Sequence, residues 1–166
     1  MCLERDTHGS RESADEKSSN LIQLFGENVM KRYEYFEATA DSGIRAYGKD
    51  INEAFENAGL AIFNIISDTS DIDALREIEF EIISEDEVSL LYDYLEELLF
   101  YHETEFMLFS EFHVKIDDGL CLKAKIKGEE INWNKHERKT EIKAITFHRM
   151  DVEKSDCVRL QAIVDL

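Results

Sequence analysis

The most constraining feature of this sequence is the way its hydrophobic periodicity changes along the chain. The run REIEFEII alternates apolar with charged residues, which is typical of a strand that has one buried face. The runs INEAFENAGLAIFNII and EDEVSLLYDYLEELLFYH place apolar residues at three- and four-residue steps, which predicts two amphipathic helices. The fold must therefore bury two helix faces against strands that are each apolar on one side.

Further strands are predicted in closely spaced pairs, which favours antiparallel pairing. The remaining strand-like runs are KRYEYFE, IRAYG, FSEFHVKI, LCLKAKIKG, EIKAITFHRMDV and VRLQAIVDL. In the last run, Val158, Leu160, Ala162 and Val164 share one face, which puts Asp165 on the other. The order ββαβαββββ predicts a single α+β domain of mostly antiparallel strands, with both amphipathic helices packed on one side.

The ends of these elements carry recognisable signals. Asp50 with Glu53 forms a capping box at the start of the first helix, and we expect Ser84 with Glu87 to do the same for the second. Residues 1–30 are polar and lack periodicity, so we predict a disordered N-terminal extension and a folded domain over residues 31–166. Because Met30 directly precedes the first predicted strand, our hypothesis is that the biological chain starts there.

Composition excludes several classes of function. The 166-residue chain has a net charge of −18, which disfavours direct binding to nucleic acid and favours cations or a basic protein as partners. No apolar run is long enough to span a membrane. The three cysteines lack CxxC spacing, which argues against a disulfide framework or a zinc site and favours the cytoplasm.

Candidate site residues are few, and no familiar catalytic motif is present. Asp41 precedes Ser-Gly, so it either closes a turn through its own side chain or helps to bind a metal. Glu37, at a strand end, could bring a second carboxylate near it. Lys143 and His148 lie on the run EIKAITFH, where an apolar setting makes a lysine unusual.

Six segments together resemble the archease family in order and spacing, over essentially Lys31 to Leu166. They are YEYFEATADSGIRAYG, INEAFENA, LEELLFYHETE, FSEFHVKI, KTEIKAITFHRM and AIVDL. The resemblance implies a small α+β protein that assists an RtcB-type RNA ligase in tRNA splicing. Such a protein promotes guanylylation and multiple turnover of the ligase and does not join RNA itself.

The resemblance also implies a site for a divalent cation, with calcium as the expected ion. Position by position it assigns metal binding to Asp41 and Asp165, with Glu37 as a further carboxylate, and other functional roles to Lys143 and His148. The family usually has Asp-His before Thr-Ala-Asp, whereas this chain has Glu37 and Ala38, so one imidazole is missing.

Two other classes of function stay open at this point. The same carboxylates and Lys143 could serve a metal-dependent hydrolase or a nucleotide-processing enzyme, which would turn over a nucleotide without a partner. A general protein chaperone would instead protect unrelated clients and would not depend on Asp41.

Overall fold

A computed structural model describes residues 22–25, 28–38 and 41–166. This part of the chain contains helix α1 (Ile51–Ile66), helix α2 (Glu87–Glu105) and a short 3-10 helix (Thr69–Asp71). The strands are β1 (Ile22–Phe25), β2 (Asn28–Lys31), β3 (Tyr33–Ala38), β4 (Asp41–Gly48), β5 (Arg76–Ile83), β6 (Met107–Ile116), β7 (Cys121–Glu130), β8 (Ala144–Lys154) and β9 (Val158–Asp165).

The strands form antiparallel sheets throughout the described part of the chain. The larger sheet has four strands in the order β3-β4-β9-β8, and the second has three in the order β5-β7-β6. Strands β1 and β2 pair separately. The predicted α+β class, with antiparallel strands and two helices in one domain, is confirmed.

Both helices pack on the apolar faces of the two sheets. Helix α1 contacts β4 of the larger sheet and β6 of the smaller one, while α2 contacts β8, β5 and β6. Within this core the rings of Phe63 and Phe109 meet edge to face, with centroids 5.4 Å apart. The predicted β9 face is also confirmed, since Val158, Leu160, Ala162 and Val164 are all buried.

The first predicted helix cap is present, and the second lies elsewhere. The Asp50 carboxylate accepts a hydrogen bond from the Glu53 N–H at 2.9 Å. The prediction of Ser84 as the second cap is wrong, because Asp86 fills that position and accepts from the Ser89 N–H. The Ser84 hydroxyl instead donates to the Asp93 carboxylate inside the helix.

Within the segment that the sequence predicts to be disordered, strands β1 and β2 pair with each other, and Met30 lies in β2. Residues 1–21 and 26–27 lie outside the described part, so the division into an extension over residues 1–30 and a domain over residues 31–166 stays a prediction. Cys121, on β7, is a free cysteine.

No helix in the described ranges is both long and apolar enough to cross a membrane.

Polar side chains of α1 cover the exposed edge of the smaller sheet. Strand β6 lies at that edge, so N–H groups on its outer side have no neighbouring strand. Asn52 accepts from the Ile116 N–H, and Glu56 accepts from the Val114 N–H, both at 2.9 Å. Burial raises the pKa of the Glu56 carboxyl, and the Val114 bond only partly offsets the rise. One helical turn of α1 thus takes the place of a further strand.

We predict that Glu56→Ala lowers the free energy of unfolding by about 1–3 kcal/mol, because the Val114 N–H loses its acceptor. Glu56→Gln retains an acceptor. Since the folded-state pKa of Glu56 is raised, ionisation opposes folding, so the glutamine variant should match or exceed wild type at pH 7. Urea unfolding of both variants, with the exposed helical variant Glu103→Ala as control, measures this. Equal losses in the alanine and control variants would contradict it.

Candidate functional site

Two of the predicted carboxylate residues lie at the same end of the larger sheet. Asp41 is the first residue of β4, and Asp165 is the last residue of β9. The two strands pair with Ser42 opposite Val164. Extending this register by one residue places Asp41 directly opposite Asp165, with Cβ atoms about 5 Å apart, as is usual for cross-strand neighbours.

The neighbouring strands add no charge to this row of residues. Ala38 of β3 lies opposite Asp41, and Ala144 of β8 lies opposite Asp165. We call this set, Ala38, Asp41, Asp165 and Ala144, the carboxylate row. No described residue forms a hydrogen bond or ion pair with either carboxylate. Two like charges directly opposite each other are destabilising, and a bound cation would relieve their repulsion.

The alternative interpretation of Asp41, as the residue that closes a turn, finds no support in the described residues. An Asx turn would need the Gly43 N–H to donate to the Asp41 carboxylate, and no such bond is present. Asp41 and Gly43 both lie within β4. Residues 39–40, which connect β3 to β4, lie outside the described part.

The other three predicted site residues are not part of the carboxylate row. Glu37 pairs with Ser42, so it lies on the opposite face of the sheet from Asp41 and is not brought together with it. The Lys143 N–H donates to the Asp165 carbonyl at 2.7 Å, and the Lys143 side chain is exposed. His148 is exposed in an irregular part of β8. The functional roles of these three residues stay predictions.

The donor chemistry of the carboxylate row fits a hard divalent cation that keeps much of its water. Calcium and magnesium prefer oxygen ligands, and the row offers two carboxylates. In the described ranges no three Asp, Glu, His or Cys side chains converge as a complete metal cage. Any cation held here therefore needs further ligands from water, backbone carbonyls or a partner.

Sequence reasoning missed the residues that share this face with the carboxylate row. The alternation of β4 and β9 places Gly43, Arg45, Gln161 and Ile163 on the same side as Asp41 and Asp165. The alternation of residues along each strand predicts which of them share a face. It does not predict which strands are neighbours, and both are needed to find this set.

The connection between β7 and β8, which leads to Lys143, is fixed by one partly buried carboxylate, that of Glu129. The Glu129 Oε2 accepts from the Asp73 N–H at 2.7 Å, from the Lys135 ammonium at 2.6 Å and from His136 Nε2 at 3.0 Å. The other ring nitrogen of His136, Nδ1, accepts a hydrogen bond from the Asn132 N–H. His136 is therefore the neutral tautomer that donates from Nε2. Burial would raise the pKa of Glu129, but these bonds outweigh it and lower the pKa to about 2.

Comparison with known proteins agrees with this architecture. Residues 33–166 match the model of the Archease protein family (MTH1598/TM1083). Protein archease of Methanothermobacter thermautotrophicus is 53% identical over 141 residues, covering 82% of this chain and all of that protein. Protein archease of Sulfurisphaera tokodaii is 47% identical over 139 residues, with the same coverage.

Two solved structures are also similar. The solution structure of protein 1598 of Methanobacterium thermoautotrophicum has a TM-score of 0.74 and 52% identity, covering 81% of this chain and 99% of that one. The crystal structure of a Thermotoga maritima protein, described as an archease and possible chaperone, has a TM-score of 0.56 and 21% identity. It covers 79% of this chain and 94% of that one, and at this identity it supports the fold alone.

We predict that Glu129→Gln lowers the free energy of unfolding by about 2 kcal/mol at neutral pH, because charge-assisted bonds are lost. The folded-state pKa is depressed, so this contribution is complete above pH 4.5 and disappears as the pH falls toward 2. Urea unfolding across that range measures it, with the exposed neighbour Glu130→Gln as control. A wild-type to Glu129→Gln difference that does not shrink on acidification would contradict the assignment.

Proposed function

Because this chain belongs to the archease family, we propose that it is a non-enzymatic accessory protein that binds a divalent cation and activates an RtcB-type RNA ligase in tRNA splicing. The activation would consist of promoting guanylylation of the ligase and its repeated turnover. Asp41 and Asp165 would hold the cation, for which calcium is the expected ion. When bound, the cation would supply positive charge beside the nucleotide that the ligase handles.

The observation that carries this proposal is the pairing of β4 with β9, whose register, extended by one residue, puts Asp41 opposite Asp165. Neither carboxylate is compensated by a described cation, and both are half-buried at the end of the sheet. Each is held by its strand, so neither depends on a flexible loop for its direction. Such a pair would hold an ion at the end of the larger sheet and leave coordination positions open.

The charge of the chain supports a protein partner over RNA. At −18 the surface repels phosphate backbones and favours encounter with a basic protein. Lys143 and His148 are exposed, and the backbone of Lys143 is bonded to Asp165. We assign these two side chains to contact with the ligase around the bound cation.

The cation site can be tested without any ligase. In a chelating buffer, Asp41→Asn should raise the free energy of unfolding by up to about 1 kcal/mol, because it relieves the repulsion between Asp41 and Asp165. With calcium at 100 times its dissociation constant, wild type should gain about 2.7 kcal/mol. The variant should bind at least about tenfold more weakly and gain less.

Thermal unfolding with and without calcium measures both effects. Asp118→Asn in the exposed β6–β7 turn is the matched control, since it removes an aspartate charge away from the carboxylate row. Equal calcium responses in wild type and Asp41→Asn would reject the assignment of the site.

The accessory role is tested by multiple-turnover RNA ligation with the cognate RtcB-type ligase. Wild type and Asp118→Asn should stimulate turnover, whereas Asp41→Asn and Asp165→Asn should lose most of the stimulation, because they cannot present the cation. Equal stimulation by all four proteins would support the accessory role and show that it does not depend on the carboxylate row.

The same preparations separate the other classes of function. Nucleotide hydrolysis by the isolated protein, abolished in Asp41→Asn, would favour a metal-dependent enzyme. Protection of unrelated unfolded proteins that is unchanged in Asp41→Asn would favour a general chaperone.

A further inference from the structure

A second cluster of polar groups lies on the face of the larger sheet that carries the carboxylate row. Two residues along the strands from Asp41, Phe36 of β3 pairs with Gly43 of β4. Two residues further, Arg45 pairs with Gln161 of β9. Directly paired residues and residues two apart share one face, so these side chains lie on the same side as Asp41.

The ring of Phe36 forms a platform for two arginines. It lies so close over Gly43 that an added Cβ there would be 2.2 Å from its Cζ atom. The guanidinium carbon of Arg45 lies 4.2 Å from the ring centroid, and that of Arg149 lies 5.4 Å from it. Two cations thus converge on one aromatic ring from different strands.

A single amide positions both arginines. The Gln161 Oε1 accepts from the Arg45 Nε at 3.0 Å, and the Gln161 Nε2 donates to the Arg149 carbonyl at 2.8 Å. Gln161 therefore fixes the side chain of Arg45 and the backbone of Arg149 at the same time. This arrangement orients one guanidinium directly and the other through its backbone.

Arg149 reaches the ring because β8 is interrupted. Between the pairs Thr146–Ile163 and Asp151–Gln161, residues 147–150 lie opposite a single β9 residue, Ala162. Within this bulge Arg149 has φ of 57°, a left-handed conformation that costs about 1 kcal/mol for a residue with a Cβ atom. The strained backbone turns Arg149 toward Phe36, and such strain often accompanies a binding role.

The two guanidinium charges are only partly compensated. The Glu34 carboxylate lies 3.8 Å from Arg45, but it also accepts from Lys31 and from the Tyr47 hydroxyl. Arg149 forms no ion pair with any described residue and is exposed. A site that holds two such groups together gains from an added anion.

We propose that Arg45 and Arg149 bind the phosphate group of a small molecule on the Phe36 platform. The phosphate group of a monoester has three terminal oxygens and, as a dianion, two negative charges, so it can accept hydrogen bonds from two guanidinium groups at once. A carboxylate has two oxygens and one charge, and satisfies one fork. The site is distinct from the carboxylate row and does not depend on the proposed cation or ligase.

The test is a titration of the full chain with inorganic phosphate and pyrophosphate, followed by NMR shifts of backbone amides. A chelator keeps cations off the carboxylate row, and chloride holds the ionic strength constant. Wild type should show saturable shifts around Phe36 and Arg149. Arg149→Gln should weaken binding at least about tenfold, the factor expected for losing a charge-assisted contact.

Two further variants and a control separate positioning from charge. Arg149→Lys keeps the charge without the fork, so it should bind more weakly than wild type and more tightly than Arg149→Gln. Gln161→Leu keeps both arginines and should also weaken binding. Arg76→Gln, an exposed arginine on the smaller sheet, should bind as wild type does.

Saturable shifts lost in Arg149→Gln and kept in Arg76→Gln support the site. Absence of saturation in wild type, or equal affinity in wild type and Arg149→Gln, overturns it and leaves the arginines as anchors of the bulge. Tighter binding of a nucleoside triphosphate than of pyrophosphate would identify a nucleotide as the source of the phosphate. Equal affinities would identify the free ion.

Discussion

The pairing of β4 with β9 is the interaction on which the rest of the structure depends. It joins an early strand to the last one and forms the centre of the larger sheet, with β3 and β8 as its edges. Over the register from Ser42–Val164 to Gly48–Val158, one face packs Ile44, Leu160 and Ala162 in the core, and the other carries Arg45 and Gln161. A slip by one residue would expose Val164 and Leu160 and bury Asp165, so the hydrophobic pattern fixes the register strongly. That same register places Asp41 beside Asp165.

Helix α1 connects this sheet to the smaller one through contacts of two kinds. Its apolar stripe packs on β4, while Asn52 and Glu56 bond to the edge of β6. Its last carbonyls are also satisfied by the chain that leads to β8, since the Lys139 and Thr140 N–H groups donate to Ile66 and Ile65. Helix α1 thus fixes the smaller sheet and the approach to Lys143, although it contributes no residue to the carboxylate row.

Much of the fold could be predicted from the sequence because its signals are local. The alternation of REIEFEII and the helical stripes depend only on spacing, and the Asp50 cap depends on neighbouring residues. The second cap was misplaced because Ser84 and Asp86 both suit an N-cap, and only packing chose between them. The opposition of Asp41 and Asp165 was out of reach for another reason. The alternation of residues along a strand predicts which face each one occupies, whereas the order of strands in the sheet is set by long-range packing. The platform of Phe36 and Arg149 needs both the strand order and a bulge.

The alanine at position 38 bears on what kind of cation the carboxylate row could hold. Ala38 lies directly opposite Asp41 on the edge strand β3, at the position where the resemblance to the archease family implies a histidine. An imidazole there would stand beside the carboxylate and add a nitrogen ligand, which suits zinc and other transition metals. Without it, the described row supplies carboxylate oxygens alone, which suit calcium or magnesium. The small side chain also leaves the edge of the row open. On the proposed function, that opening lets oxygen ligands from a partner complete the coordination, so the cation would be shared between the two proteins.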